Sequence, residues 1–237
     1  MNSRDFDWKP LALVPLLALI VLPFIGSPST WLTLTVAGLA MGMIIFIIAS
    51  GLTLVFGLMD VPNFGHGVFI ALGAFVATSV LGAMGDWTGS EHLWRNMVAV
   101  LPAMLVAMAV AGAVGLAFER FIVRPVYGQH LKQILITMGG MIIGEELIKV
   151  IWGPAQIPLP LPEGMRGSLL VGDAAIEKYR LIAVVVGLVV FGVLAWTLSR
   201  TKVGLLIRAG VQDREMVESL GYRIRRLFVG VFAVGSA

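Results

Sequence analysis

The sequence predicts an all-α membrane protein that crosses the bilayer several times, and three observations support this fold class. Hydrophobic residues make up 58% of the 237-residue chain and charged residues only 13%, about half the roughly 25% that soluble domains carry. Trp31–Met59 contains no charged residue and is longer than the roughly 20 residues that a helix needs to cross a bilayer. Seven of the 17 basic residues lie within Arg200–Arg226, outside the apolar runs, as in a cytoplasmic loop. We expect residues 1–237 to form a single transmembrane domain.

Six apolar runs predict complete spans. Leu11–Ile25 is short and contains Pro15 and Pro23, and we expect a retained helix rather than a cleaved signal peptide. The other five runs are Trp31–Met59, His66–Gly85, Asn96–Phe118, Gln133–Trp152 and Leu181–Ser199. Leu227–Ala237 is too short to cross. We interpret it as the start of a seventh span in a truncated chain, rather than as a chain end outside the bilayer.

Small residues predict where neighbouring helices approach each other closely. In the second span these residues are Gly38, Gly42 and Gly51. In the fourth span they are Ala107, Ala109, Ala111, Gly112, Ala113 and Gly115. Both sets indicate a packed bundle of helices.

The distribution of basic residues on alternate sides of the predicted spans indicates the orientation. One side carries 12 of them and the other carries four, with Lys149 left inside a span. Because the richer side faces the cytoplasm, we expect the N-terminus and the loop 200–226 to be cytoplasmic. The proline-rich loop Gly153–Arg180 then lies on the outer side.

A polar interruption, Asp60–Gly67, separates the second and third spans. Pro62 lacks an N–H and disfavours helical geometry at the residue before it, so the helix should break here. Non-helical backbone inside a bilayer is tolerated only where protein or a watery cavity covers it. The candidate residues of a path through the protein are therefore Asn63, Gly65, His66 and Gly67. The alternative is a short re-entry turn in which His66 caps a helix or meets the lipid interface.

Ionisable residues interrupt the fifth span at Glu145, Glu146 and Lys149. Charged groups within a span are candidates for function, which makes Glu145 a further candidate for the path. Glu145 and Lys149 are four residues apart and can pair along one helix face. We expect this structural pair, with a substrate or ion site as the alternative.

The basic loop contains an amphipathic segment, Ile207–Gly221. Its apolar and charged residues alternate and predict one short helix outside the membrane. The apolar residues are Val211, Met216, Val217 and Leu220. Asp213 and Glu215 lie near the start of this helix, where negative charge is favourable, and Gly221 suits its C-terminal end. Such a helix could dock into a groove on a partner or lie on anionic lipid, and both interpretations are open.

Several chemistries have no motif in this sequence. The absence of cysteine excludes disulfides and cysteine-ligated metals, and the three histidines lie on separate segments. No phosphate-binding loop, zinc-protease motif or nucleophile elbow occurs. We predict no catalytic residue, metal, cofactor or nucleic-acid partner. An intramembrane enzyme built on Ser50 or Ser79 with His66 is a rival without a supporting motif.

Several motifs, in order from about Gly38 to Ala237, resemble the permease subunits of branched-chain amino acid ABC importers, the LivH type. The segments that carry the resemblance are Asn63–Gly67, Leu72–Phe75, Glu119–Pro125, Thr137–Gly139 and Thr201–Ala209. Glu215 and Gly221 are also similar to the family's coupling loop, in which Met216 and Val217 replace two alanines.

The resemblance implies a subunit of the bacterial inner membrane that carries a branched-chain or related amino acid. The implied partners are a second, LivM-like permease, two cytoplasmic ATPases and a periplasmic binding protein. Arg208, Asp213, Glu215 and Gly221 would transmit the ATPase movement through the coupling loop 200–226, and the chain itself would catalyse no reaction. The alternatives are a permease for urea or short amides, and a self-sufficient secondary transporter that uses Glu145, Glu146 or His66 for ion coupling.

Overall fold

The computed structural model describes residues 9–59, 63–159, 161–222 and 224–237, and this part of the chain forms ten α-helices and one β-hairpin. The helices are α1 (Lys9–Ile25), α2 (Pro28–Met59), α3 (His66–Ala83), α4 (Gly85–Thr88), α5 (Leu93–Phe118), α6 (His130–Trp152), α7 (Lys178–Arg200), α8 (Lys202–Gln212), α9 (Arg214–Ser219) and α10 (Ile224–Ser236). A π-helical turn, Glu119–Val123, and a 3-10 turn, Arg124–Val126, continue α5, and a second 3-10 turn spans Glu163–Met165. The predicted all-α class is confirmed.

Four segments of the described chain are helical, long and apolar enough to cross a membrane. They are Pro28–Gly57, His66–Ala83, Leu93–Val126 and Lys178–Arg200. The helices α1 and α10 are apolar over shorter lengths, and α6 carries both acidic and basic residues. The seven predicted runs thus coincide with seven helices, while the number that crosses the bilayer stays a prediction.

Helix α10 occupies the centre of the bundle, where it packs against both α2 and α5. Phe228, Val231 and Phe232 of α10 are buried in the main apolar core, together with Val55 of α2 and Phe69 of α3. The sequence predicted α10 only as the start of a span, because eleven apolar residues do not reveal which neighbours they contact. The structure makes it the helix that closes the core.

Glycine allows α10 to lie in backbone contact with α2. A Cβ added to Gly51 would lie 2.6 Å from the carbonyl oxygen of Gly235, and one added to Gly115 of α5 would lie 2.5 Å from the Ser236 side chain. By contrast, a Cβ at Gly38 or Gly42 would meet no atom within 4 Å. Close approach was therefore predicted correctly for Gly51 and not for Gly38 and Gly42 within this chain.

The segment between α6 and α7 contains the hairpin, which the sequence analysis treated as loop. Strand β1 (Ser168–Val171) pairs antiparallel with β2 (Ala174–Glu177), with Ser168 opposite Glu177. A turn at Gly172, with a φ of 60°, connects them. Because β2 packs on α2 and α7, the hairpin covers the ends of these two helices.

Candidate functional site

The break between α2 and α3 brings three of the five predicted path residues together. Asn63, Gly65 and His66 are buried, and α3 begins at His66. Gly67 is exposed, and a Cβ there would meet no atom within 4 Å. Residues 60–62, which include the predicted helix breaker Pro62, lie outside the described part of the chain.

The His66 ring lies where α2, α3 and α10 meet. Its Nε2 is 3.3 Å from the carbonyl oxygen of Ile48, and its Cε1 is 3.3 Å from the position of a Cβ on Gly51. Since a carbonyl only accepts, Nε2 donates this bond, and Nδ1 of the neutral ring is left as an acceptor. Nδ1 is buried without a partner. The start of α3 therefore faces the middle of α2, which continues beyond this level to Met59.

The Asn63 side chain closes the turn that precedes α3. Its Oδ1 accepts a hydrogen bond from the Gly65 N–H at 3.0 Å, and its carbonyl accepts one from the His66 N–H at 3.3 Å. Its Nδ2 is buried without a partner. A buried polar group without a partner costs about 1–3 kcal/mol and is uncommon in folded proteins. The site thus holds an unused donor on Asn63 and an unused acceptor on His66, three residues apart.

An aromatic cluster supports this turn. Phe69 of α3 packs edge-to-face against Phe118 of α5 at 5.4 Å and against Phe232 of α10 at 6.2 Å between ring centroids. Phe118 and Phe232 stack at 6.4 Å. A Cβ on Gly65 would lie 3.1 Å from the Phe118 ring, so the turn rests directly on the cluster. The three rings fix the position of the buried polar groups relative to three helices.

A cavity of about 340 Å³ borders the same turn. It is lined by Leu52, Thr53, Phe56, Gly57, Asn63 and Phe64. Small-molecule sites are typically cavities of this size with mostly apolar walls and a few polar groups. Here the polar groups are one hydroxyl and one amide, so the cavity suits a small, largely apolar molecule.

The ionisable residues of α6 are exposed. Lys149 Nζ pairs with Glu146 Oε1 at 2.7 Å, so the predicted pairing of Lys149 with Glu145 is wrong. On a helix both the i,i+3 and i,i+4 neighbours are within reach, and spacing alone does not choose between them. Glu145 is exposed.

The amphipathic segment forms two helices, where the sequence predicted one. Asp213 has an extended backbone, and its carboxylate accepts a hydrogen bond from the Met216 N–H at 2.9 Å, so it caps the start of α9. This cap favours a new helix over the continuation of α8. Gly221 follows α9 with a φ of 85°, which confirms the predicted C-terminal stop.

The predicted coupling residues are distributed over both helices. Arg208 lies exposed on α8, Asp213 lies at the junction, and Gly221 follows α9. The side chain of Glu215 lies outside the described part of the structure. Val217 is buried in the main core. The other three predicted apolar side chains of the segment are exposed, namely Val211, Met216 and Leu220. The segment is thus held on the bundle by one apolar contact in α9 and presents the rest outward.

Comparison with known families identifies the chain. Residues 34–237 match the sequence profile described as branched-chain amino acid transport system, permease component. The chain belongs to this family. The resemblance read from the motifs is therefore confirmed, and the permease is a multi-pass membrane protein. No solved structure matches the chain.

Individual relatives are similar over most of this permease. It is 30% identical over 214 residues to the high-affinity branched-chain amino acid transport system permease protein BraD of Pseudomonas aeruginosa, covering 85% of this chain and 66% of BraD. It is 27% identical over 206 residues to the corresponding protein LivH of Escherichia coli K12, covering 84% of this chain and 65% of LivH. It thus spans just under two thirds of the length of these relatives.

The structure adds a buried acidic residue that lies between the predicted spans Asn96–Phe118 and Gln133–Trp152. Glu119 of the permease is 1% exposed and accepts a hydrogen bond from the Tyr127 hydroxyl at 2.6 Å. The π-helical and 3-10 turns fold the chain back so that the two side chains meet. An acid eight residues before a tyrosine is not a recognised sequence signal, so the burial of Glu119 was not predictable.

Asn96 is a second polar residue that the sequence analysis missed, and it is fully buried near the start of α5. Its Nδ2 donates to the carbonyl oxygens of Trp87 and Ser90, both at 2.9 Å, and its Oδ1 accepts from the Gly164 N–H at 2.7 Å. One side chain therefore ties two connecting segments to the same end of the bundle. An asparagine at the start of an apolar run was the only signal.

Proposed function

We propose that this chain is the membrane-spanning permease subunit of an ATP-binding-cassette importer for branched-chain or related apolar amino acids. Its family and the names of its relatives support the substrate class. The observation that carries the proposal is the break between α2 and α3, which places an unpaired donor and an unpaired acceptor inside an apolar bundle. Discontinuous helices supply the substrate sites of many transporters.

The path would pass Asn63, Gly65 and His66. An amino acid offers a carboxylate, which accepts from Asn63 Nδ2, and an ammonium, which donates to His66 Nδ1. The apolar walls of the adjoining cavity suit an aliphatic side chain. Because both nitrogen atoms are sealed from solvent in this conformation, the helices around the break must separate before substrate reaches them, as alternating access requires. Gly67 and Glu145 are exposed and would join the path only at a face shared with a second permease.

The proposed assembly contains a second, LivM-like permease, two cytoplasmic ATPases and a periplasmic binding protein. The basic loop 200–226 and the N-terminus would face the cytoplasm. The exposed Met216 and Leu220, next to Glu215 and Gly221, offer an apolar surface of the kind that docks into a groove. Val217 connects this surface to the core that contains Phe228 and Phe232. ATPase movement would reach the broken helix by this route, and the permease would perform no bond chemistry itself.

Uptake by the reconstituted complex tests the proposal. The permease and its partner subunits are placed in vesicles with ATP, and entry of radiolabelled leucine is measured for wild type, Asn63→Asp and His66→Gln. Asp keeps the acceptor for Gly65 but removes the donor. Gln keeps a donor for Ile48, but its amide oxygen does not occupy the position of the Nδ1 acceptor. We expect uptake that requires ATP and falls by about tenfold or more in each variant, with Gly42→Ala as the unchanged control.

Three results would contradict different parts of the proposal. Uptake by the permease alone, driven by an ion gradient, would show a secondary transporter. Complete competition by urea or short amides would change the substrate class. ATP-dependent leucine uptake that both variants leave unchanged would remove Asn63 and His66 from the path while the importer function stands.

A further inference from the structure

A second cavity, of about 290 Å³, opens between α2, α7 and α8. Its lining residues are Thr53, Leu54, Gly57, Leu198, Ser199, Ile207, Arg208 and Val211. We name it the α7–α8 cleft. The apolar run of α7 ends at Arg200, beside this cleft, so the cleft lies where the hydrocarbon region meets the polar membrane surface. Neither the family nor the path at the α2–α3 break accounts for it.

A tight turn between α7 and α8 holds the cleft in shape. The Thr201 side chain accepts a hydrogen bond from the Gly204 N–H at 3.2 Å and caps α8. Gly204 lies against the end of α7, where a Cβ would collide with the carbonyl oxygens of Thr197 and Leu198. Ile207 packs against the main core. Helix α8 is thus anchored at both its start and its buried face, and the cleft is a defined feature of the fold.

Within the described part of the chain, the charged residue that lines the cleft is basic. Arg208 lines it and is exposed, and Arg200 and Lys202 are exposed nearby at the junction of α7 and α8. The sequence from Lys178 to Gln212 contains no acidic residue. Within the described part of the chain, none of these three basic side chains pairs with a carboxylate.

A cleft with an apolar wall and basic side chains at its opening suits an anionic phospholipid. An anionic phospholipid has a phosphate that a guanidinium binds with two parallel hydrogen bonds and acyl chains that pack on aliphatic side chains. Basic pockets between membrane helices near the cytoplasmic surface bind such headgroups. A free phosphate would use Arg208 but not the apolar wall formed by Leu54, Leu198 and Val211.

We propose that the α7–α8 cleft binds one anionic phospholipid, with its phosphate on Arg208 and the upper part of an acyl chain along the apolar wall. Thr53 of α2 also lines the cleft, and its hydroxyl would supply a second donor. The bound lipid would hold α8 against α2 and α7, and so would stabilise the position of the segment that continues into α9. The cleft shares Thr53 and Gly57 with the cavity beside the proposed path, whereas Arg208 and Leu198 line the cleft alone.

Native mass spectrometry of the purified full-length chain tests the site. The protein is equilibrated with phosphatidylglycerol or phosphatidylcholine, and the lipids retained per chain are counted. We expect one retained phosphatidylglycerol, with about fivefold weaker retention in Arg208→Gln, the loss of one basic residue near a membrane surface. Gly57→Leu should also reduce retention, because a side chain at Gly57 meets no atom within 4 Å and extends into open space. Arg120→Gln and Gly42→Leu are matched controls that should retain the lipid.

The alternatives give different results. Equal retention of the two lipids would show an apolar groove without headgroup recognition and would overturn the proposal. Displacement of phosphatidylglycerol by inorganic phosphate at equal concentration would show a free-anion site and would also overturn it. If Gly57→Leu does not fold, Arg208→Gln decides, and retention equal to that of Arg120→Gln would refute the assignment.

Discussion

Replacement of Gly51 by alanine tests whether the contact between α2 and α10 determines the geometry of the broken helix. The added methyl group would lie 2.6 Å from the carbonyl oxygen of Gly235 and 3.3 Å from Cε1 of His66. The first obstacle is backbone, which cannot rotate away as a side chain can. The two helices must therefore move apart, and the His66 ring must shift with them.

The expected cost follows from the kind of obstacle. Extra methylene groups in a packed core cost about 1–3 kcal/mol, and a backbone obstacle places Gly51→Ala in the upper half of that range. For a chain of this size, 1 kcal/mol lowers the Tm by about 2–4 °C, so we expect a decrease of about 4–12 °C. The control is Gly42→Ala on the same helix, where no atom lies within 4 Å. A substitution without such contacts changes stability by less than about 0.5 kcal/mol, which corresponds to a shift of less than about 2 °C.

The assay is thermal unfolding of the purified protein in one detergent, with both variants and wild type measured at the same concentration and scan rate. Gly51→Ala should unfold at a clearly lower temperature than Gly42→Ala. Equal unfolding temperatures would mean that α10 does not approach α2 at Gly51.

Two further substitutions test the polar supports of the fold. Asn96→Ala removes three hydrogen bonds from a fully buried side chain, each of which contributes about 1 kcal/mol. The segment 153–180 should therefore become more sensitive to limited proteolysis. Unchanged cleavage would contradict the role of Asn96. Asp213→Ala removes the cap of α9, and the loss of such a cap destabilises a helix by about 1 kcal/mol. Amide hydrogen exchange in Arg214–Ser219 should therefore become about fivefold faster. In Asp213→Asn, which keeps a capping oxygen, exchange should be as slow as in wild type. Equal exchange rates in the two Asp213 variants would show that the cap is not needed.

The sequence predicted the long helices well because their apolar runs are long and their ends are marked. The run His66–Gly85 differs from α3 by only two residues at its end, since the polar break precedes it. Shorter features were missed where a local interaction, and not the apolar pattern, decides the secondary structure. The side-chain cap at Asp213 divides the amphipathic segment into two helices. Apolar and polar residues alternate too weakly in the hairpin to predict its strands, and all four residues of β1 are exposed.

The polar break was predicted from sequence, but its internal geometry was not. Composition marked Asn63 and His66 as polar residues between two apolar helices. His66 lies against Ile48 and Gly51 of α2, and Gly51 meets Gly235 of α10 only in the folded bundle. The same limit applies to Glu119, whose partner Tyr127 lies across a turn of irregular helix.

Cysteine labelling can detect a water-accessible substrate path at the α2–α3 break, because the chain has no native cysteine. Leu52→Cys lines the cavity beside Asn63, and Gly42→Cys lies on the same helix in open space. In the complete complex with ATP, a water-soluble thiol reagent should modify Cys at position 52 faster than at position 42, and leucine should slow only the first reaction. Equal rates at the two positions, or no protection by leucine, would show that the substrate path does not lie at this break.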